Sequence, residues 1–336
     1  MSRLRKVVSS PFFPVWPATA LLFVISPQIA PGSDGASALT SILPFTAFLV
    51  IAGIGQTIVV QQRGLDLSIT GMISLAAIII TKYPNGTDGG LAKGLAFVVL
   101  ACVLSGLLSG FAVTVLGITP LISTLGVNAL LTGALLQITN GALTAEPAPA
   151  LRSFAFDKTE GIPNTVLVAA GVVIVVALLM RTTVAGRRFV AVGTNAPAAY
   201  VAGIRVKAYI WGTYVAASLF YGLAAVLLAG YLGTPDLQSG GNYLLLSITV
   251  VVLGGASLAG GSGSVLGTAI GAVFLIQLQQ DVFGAGAPQS VQYLIQAGVI
   301  ALAMALRTLI SHLNAGRALS RGSEPTVGPP LSAATS

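Results

Sequence analysis

Charge is what this sequence has least of, and that scarcity decides its broad class. Asp, Glu, Lys and Arg make up 7% of the 336 residues, whereas soluble domains carry about 25%. Hydrophobic residues reach 55%, and the mean hydropathy is +0.92. A soluble domain of useful size is therefore excluded, and the composition predicts a polytopic membrane protein.

Cysteine and histidine are also scarce. Cys102 is alone, so neither a disulfide nor a cysteine metal site forms within one chain. His312 is the single histidine, which excludes a Ser/His/Asp site in the membrane and a histidine-rich metal site. The glycine run at 254–263 lacks the Gly-Lys-Ser/Thr ending of a phosphate loop. We therefore expect no catalytic residue, metal or cofactor in this chain, and any use of ATP would require another subunit.

Ten apolar blocks approach or reach the roughly 20 residues that a membrane-spanning helix needs. They predict an all-α fold with about ten transmembrane helices, in which residues 12–310 form one transmembrane domain. The blocks lie at 12–31, 39–60, 68–81, 94–117, 120–138, 164–180, 208–232, 243–258, 263–280 and 291–309.

Lys and Arg are unevenly divided between the two sides that ten crossings create. Twelve lie on the side of the N-terminus, and four lie on the other side with seven acidic residues, including Asp236 and Asp281. Because basic residues collect in the cytoplasm, both termini are predicted to be cytoplasmic. A signal peptide cleaved near residues 36–38 is the alternative reading of the first block. The predicted segments are a cytoplasmic N-terminus at 1–11, a periplasmic loop at 139–163, a cytoplasmic loop at 181–207 and a disordered cytoplasmic tail at 311–336.

The loop at 181–207, which we call the elbow, holds five positive charges and no acid. Its composition predicts two short helices separated by a turn, the second capped by Asn195 with Pro197 in its first turn. A surface helix with little charge is suited to a partner's groove. Basic loops also act as topology signals and bind anionic membrane lipid, which is the simpler explanation of the charge.

Polar side chains inside or beside the apolar blocks are candidates for a path through the protein. A buried amide in a membrane either bonds another helix or faces a water-filled path. Without a cluster of buried charge, such a path suits an uncharged polar solute better than an ion. Asp66 or Ser68 caps the third helix, or Asp66 pairs with Arg63 in a gate. The candidate path residues are Asp66, Ser68, Gln56, Thr124, Asn128, Gln277 and Gln296.

Glycine spacing and a short internal similarity suggest how the helices are arranged. Gly263, Gly267 and Gly271 recur every four residues, which predicts close packing of one helix face against another backbone. Residues 64–67 precede the third block and resemble residues 233–237 before the eighth block, five crossings later. An odd separation reverses the orientation, so the pattern suggests an inverted repeat.

Three segments, 64–68, 186–204 and 254–264, carry motifs that resemble permease subunits of ABC importers of the ribose, xylose and galactose class. That class is related to the branched-chain amino acid permeases. The resemblance implies a BtuC-like importer architecture in the bacterial inner membrane and a second permease subunit. It also implies a partner ATPase that binds ATP and Mg, and a periplasmic binding protein that delivers a sugar or similar solute. The ATPase-coupling residues it implies are Gly186, Arg187, Arg188, Gly193, Asn195, Ala199 and Gly203.

The chain also departs from that family's pattern. Leu244 and Leu246 stand where acids are common, and Arg63 and Thr70 stand where glycines are common. These differences leave the solute open and make a heterodimeric permease an alternative to a homodimer. Two other classes stay open on the residues alone, an ion-coupled secondary transporter and a membrane scaffold without a transport path. Nucleic acid is not an expected partner.

Overall fold

A computed structural model describes residues 14–33, 35–142 and 146–322. The predicted N-terminal segment 1–11 and the chain beyond residue 322 lie outside the described residues. Helices dominate what is described. They are α1 (Val15–Ile29), α2 (Ala36–Gln61), α3 (Ile69–Lys82), α4 (Leu91–Thr114), α5 (Pro120–Thr139), α6 (Pro149–Phe156), α7 (Asn164–Thr182), α8 (Val184–Thr194), α9 (Ala196–Val201), α10 (Val206–Leu232), α11 (Tyr243–Leu253), α12 (Val265–Gly284) and α13 (Gln289–Gly322), with a 3-10 turn at Asp88–Gly90.

Each of the ten apolar blocks corresponds to a helix, namely α1 to α5, α7 and α10 to α13. Six helices in the described chain are long and apolar enough to cross a membrane. Four more, α1, α3, α11 and the first half of α13, are apolar but shorter. The class of a helical polytopic membrane protein is therefore confirmed, whereas ten crossings, the sidedness of the termini and an inverted repeat stay predictions.

Contacts between helix ends define two ends of the bundle. At one, α2 finishes against α8, where the Gln62 amide donates to the carbonyl of Phe189 at 2.8 Å; we call this the elbow end. At the other, the far end, the N–H of Ala150 in α6 donates to the Asp88 carboxylate at 2.8 Å, just before α4 begins. Consecutive apolar helices thus run in alternating directions between the two ends.

The core centres on α2, which packs against α7, α10, α11 and α12. Its middle is enclosed because small residues and β-branched side chains let four neighbours approach it. By contrast, α4 and α7 expose large apolar side chains such as Leu104, Leu108, Ile174 and Leu178. Extended apolar faces of this kind are stable in lipid but not in water.

α3 and α11 are the two shortest helices of the ten blocks, and each is too short to span a membrane alone. They have 14 and 11 residues, or about 21 and 17 Å of rise, against about 30 Å of hydrocarbon. α11 ends at Leu253, earlier than the predicted 258, because the chain turns at Gly254 and Gly255, the latter at φ 82°. α3 is buried along most of its length, which lets the non-helical segment before it lie within protein.

Close glycine packing joins α12 to the end of α11. A Cβ on Gly267 would lie 2.3 Å from the carbonyl oxygen of Gly254, so the two backbones touch. Gly271 also faces α11. Gly263 differs from the prediction because it precedes α12 and faces the Gln61 side chain, where a Cβ would lie 2.5 Å from the amide nitrogen. Only two of the three predicted glycines therefore share a helix face.

Two segments are more ordered than the sequence predicted. The far-end loop at 139–163 contains α6 and a hairpin of β1 (Lys158–Thr159) and β2 (Ile162–Pro163). α13 continues to Gly322, so residues 311–322 are helical where the sequence predicts a disordered tail. That stretch is rich in Ala, Leu and Arg, which favour helix.

Candidate functional site

The elbow is a pair of short helices at the end of α7. The hydroxyl of Thr183 caps α8 by accepting the N–H of Gly186 at 3.0 Å. A Cβ on Gly186 would lie 2.4 Å from the Leu179 carbonyl, so only glycine permits this tight reversal. Asn195 Oδ1 caps α9 by accepting the N–H of Ala198 at 3.1 Å. The two predicted helices and the Asn195 cap are confirmed.

The outer surface of the elbow is an apolar tip with arginines nearby. Tyr200 and Val201, at the end of α9, are 74% and 87% exposed, while Ala199 is buried beneath them. Arg187 and Arg188 are exposed on α8. Sequence reasoning selected the arginines and Ala199 but missed the tip. The sequence signal for the tip was an aromatic residue and a β-branched residue at the end of a short surface helix.

The inner surface of α8 rests on the end of α2. A Cβ on Gly193 would lie 2.2 Å from the carbonyl oxygen of Gln61, so the two segments meet backbone to backbone. Beside this contact Arg63 Nε donates to the Gly193 carbonyl at 3.0 Å, and its guanidinium also donates to the Thr194 carbonyl. In this structure the Arg63 guanidinium is directed at the elbow and not at Asp66, and a gating role for Asp66 stays a prediction.

The loop between α11 and α12 joins the same contact. The N–H of Gly261 donates to the Gln61 carbonyl at 2.9 Å. Gly260 lies over Arg63, where a Cβ would be 2.1 Å from Cγ of that side chain. We call this meeting of residues 61–63, 193–194 and 260–261 the junction. Sequence reasoning treated its three segments separately.

Asp66 is fully buried behind the junction. Its Oδ1 accepts the Ser68 N–H at 2.9 Å and the Ser68 hydroxyl at 2.6 Å. These bonds form a turn before α3, and neither side chain caps that helix through a hydrogen bond. The capping prediction is therefore wrong in its geometry. Burial raises the pKa of the Asp66 carboxyl to about 6, although the hydrogen bonds from Ser68 oppose the shift.

At the far end, a cavity of about 780 Å³ lies between α2, α10, α11, α12 and α13. Its walls combine apolar residues with many amides, and Asp236 is the single charged side chain on the described lining. Leu246, at a position where the resembling family often has an acid, lies on its wall. The amides are Gln238, Asn242, Gln279, Gln280, Gln289, Gln292 and Gln296.

Of the seven candidate path residues, Gln296 lines this cavity and the other six do not. Gln56 accepts the Tyr221 hydroxyl at 2.9 Å between α2 and α10. Thr124 and Asn128 of α5 hold the backbone around α3, by accepting the N–H groups of Leu67 and Gly71. In this structure these side chains join helices, and their part in a path stays a prediction.

Asp281 does not lie on the outer face, where the sequence placed it. Its carboxylate accepts the Gln277 amide at 2.9 Å and the Ser26 hydroxyl at 2.5 Å, and all three residues are buried. The reason is that α12 continues to Gly284 and packs against α1. This leaves six predicted outer acids against four bases, with Asp34 outside the described residues. In the described chain no three His, Cys, Asp or Glu side chains group to hold a metal.

Comparison with known proteins places most of the chain in one family. The family described as "Branched-chain amino acid transport system / permease component" matches residues 38–304. "Probable ABC transporter permease protein y4mJ" of Sinorhizobium fredii is 32% identical over 278 residues, which cover 80% of this chain and 79% of that protein. "Autoinducer 2 import system permease protein LsrD" of Photorhabdus laumondii is 30% identical over 268 residues, covering 78% and 80%. The LsrD protein of Yersinia enterocolitica is 30% identical over 269 residues, covering 78% and 81%. No solved structure matches the chain.

Proposed function

Because the chain belongs to the family of branched-chain amino acid transport system permease components, we propose that it carries an uncharged polar solute from the far-end cavity towards the elbow end. Membership settles the choice among the three classes left open by the residues: this is a membrane permease subunit of an ABC importer, multi-pass in the inner membrane. The observation that carries the finer proposal is the amide-rich cavity.

The cavity lining indicates the class of solute. Amides offer both donors and acceptors to hydroxyl groups, and aromatic side chains such as Tyr293 and Phe45 offer flat apolar surfaces. One acid on the lining, with Leu246 in place of another, gives little attraction for a cation and no counterion for an anion. A sugar or similar polyhydroxylated molecule meets these conditions. Autoinducer 2, whose import is named in the descriptions of two relatives, is a further candidate solute.

The elbow is proposed to receive the ATPase. Its exposed tip, Tyr200 and Val201, provides an apolar anchor for a partner's groove, and Arg187 and Arg188 provide charge for steering. ATP and Mg would be bound and ATP hydrolysed in that partner. A periplasmic binding protein would deliver solute at the far end, where the cavity lies.

The remaining architecture of the complex follows from the same proposal. A second permease subunit, identical or different, would complete the path, and lipid would cover the apolar faces of α4, α5 and α7. The helix directions support ten crossings with both termini in the cytoplasm, in a BtuC-like arrangement.

The test begins with the tagged full-length chain, isolated from its native membrane with the ATPase and any second permease that co-purify. The complex is placed in vesicles, and uptake of radiolabelled pentoses, hexoses, sugar alcohols and autoinducer 2 is measured with candidate periplasmic binding proteins from the same organism. We expect uptake of one uncharged solute to require ATP and to survive ionophores that dissipate ion gradients. Failure to recover an ATPase, or uptake abolished by ionophores, would contradict the proposal.

A further inference from the structure

We infer that Arg63 transmits movement of the elbow to α2 and α12, two of the helices that line the far-end cavity. This positioning role rests on the proposed function, in which a partner ATPase moves the elbow. Arg63 is suited to this role by its backbone conformation, by the carbonyl groups it binds, by the loop packed on its other side, and by the helices that lead from the junction to the cavity.

Arg63 occupies an unusual backbone conformation. Its φ is 65°, in the left-handed region that glycine adopts freely and other residues adopt rarely. Such a conformation persists where surrounding contacts fix it. Here the following residue, Gly64, donates its N–H to the Val59 carbonyl at 3.1 Å, which turns the chain sharply at the end of α2. The turn directs the guanidinium towards α8.

The two carbonyls that Arg63 binds are free of helical partners. Gly193 cannot bond the residue four places later because Pro197 has no N–H. Thr194 lacks the equivalent partner because the N–H of Ala198 is bonded to the Asn195 side chain. The last carbonyls of a helix also form the negative end of its dipole. The guanidinium, a planar fork with several donors, therefore fits the end of α8 closely.

The loop between α11 and α12 packs against the remaining side of Arg63. Gly260, at φ 84°, leaves the space that the arginine stem fills, and its neighbour Gly261 bonds the Gln61 carbonyl. Gly261 also lies against Thr194, where a Cβ would be 3.1 Å from Cα. Displacing the end of α8 would therefore displace both the end of α2 and this loop.

Both connected elements reach the cavity. α2 lines it with Phe45 and Leu49 and reaches the junction at Gln61, twelve residues beyond Leu49 or about 18 Å along one helix. α12 follows the loop directly and lines the cavity at Ile276 and Phe283. One side chain thus joins the elbow to two walls of the cavity.

The experiment measures the state of the cavity without requiring a known solute. Thr234, exposed on the cavity lining, is replaced by cysteine in the full complex with its ATPase; the native Cys102 is buried and does not compete for reagent. The rate of modification by a membrane-impermeant maleimide is measured with and without ATP and vanadate. With Arg63 present, we expect the nucleotide to change that rate by about fivefold or more.

Arg63→Gly is the decisive variant, because glycine keeps the backbone conformation while removing the link. We expect unchanged co-purification of the ATPase and loss of the nucleotide response at Thr234→Cys. Arg63→Lys, which supplies one compact donor group, should give an intermediate response. The matched control is Glu160→Gly, another exposed non-glycine residue at positive φ, 51°, in the hairpin at the far end; it should respond as the wild type does.

A full response in Arg63→Gly would overturn the inference, as would loss of the ATPase, which would make Arg63 a docking residue instead. If Arg63→Gly does not fold, an unchanged response in Arg63→Lys overturns the inference and a reduced one supports it. Failure of the proposed function is distinguishable, because then no ATPase co-purifies with the wild-type chain, or the nucleotide changes labelling in no variant.

Discussion

Asp66 is a carboxylate enclosed in protein at a place where the chain changes from loop to helix. Its Oδ1 is bonded by Ser68, while its Oδ2 has no hydrogen-bond partner among the described residues. An incompletely bonded carboxylate that is removed from water favours its protonated form, and this explains why its pKa is raised to about 6 from 3.8. The site is therefore sensitive to pH within a range that a membrane preparation tolerates.

The raised pKa predicts that the protein loses stability as the pH rises. Between the unfolded and folded pKa values, the native state binds more protons than the unfolded state, so the free energy of unfolding falls with increasing pH. From about pH 5 to about pH 7.5 the loss from Asp66 is about 1.4 kcal/mol. Asp66→Asn should remove this part of the pH dependence. Thermal unfolding of both proteins, followed by tryptophan fluorescence, measures it; equal slopes would contradict the assignment.

Gly193 provides a second prediction at the scale of one residue. A methyl group there would lie 2.2 Å from the Gln61 carbonyl, and backbone on both sides leaves it no room to shift cheaply. Gly193→Ala should separate α8 from α2, reduce recovery of the ATPase and lower the melting temperature by several degrees, since overpacking costs about 1–3 kcal/mol. Gly212→Ala in α10 is the control, because its Cβ would meet nothing within 4 Å. Similar losses in both variants would show a general intolerance of alanine.

Among the helices and loops, features that depend on neighbouring residues were predicted better than features that depend on contacts between distant parts of the chain. The ten apolar blocks each located a helix, and Asn195 with Pro197 identified the start of α9. Both signals depend only on neighbouring residues. Asp281 was misplaced because a single charge near the end of an apolar block is equally compatible with a longer helix. The link from Arg63 to residues 130 positions later could not be predicted, since only the folded chain brings them together.

Substitutions on the surface of the elbow should impair docking of the ATPase without impairing folding. Val201→Asp places a charge at the most exposed apolar residue of the elbow. If the ATPase buries Val201 when it binds, loss of the valine contact alone weakens binding by roughly tenfold. We expect normal membrane insertion with little recovered ATPase. The pair Arg187→Glu and Arg188→Glu should weaken recovery in a salt-dependent way.

The matched control for these elbow variants is Lys158→Glu, a charge reversal in the far-end hairpin. It should leave ATPase recovery unchanged. If the elbow variants also recover the ATPase as well as the wild type, the ATPase docks elsewhere.

At the scale of the whole molecule, two turns at opposite ends have similar local geometry. Arg63 and Gly233 both have positive φ, at 65° and 76°, and each stands three residues before an aspartate. Asp66 and Asp236 each accept the N–H two residues later, at 2.9 and 3.0 Å, and each also accepts a serine hydroxyl. The short helices α3 and α11 follow. This similarity supports an inverted repeat with one turn at each end, Asp66 enclosed and Asp236 exposed.

That arrangement predicts which surfaces an intact cell displays. Each of two cysteine variants, Tyr200→Cys at the elbow tip and Glu160→Cys in the far-end hairpin, exposes its new thiol, and the buried Cys102 gives a low background. If twelve basic residues mark the cytoplasm, an impermeant maleimide applied to intact spheroplasts should label Glu160→Cys and spare Tyr200→Cys until the membrane is opened. Labelling of Tyr200→Cys in closed spheroplasts would place the elbow outside, where no cytoplasmic ATPase could reach it. α7 is the long apolar helix between residues 160 and 200. Labelling of both variants from one side would therefore show that α7 does not cross the membrane.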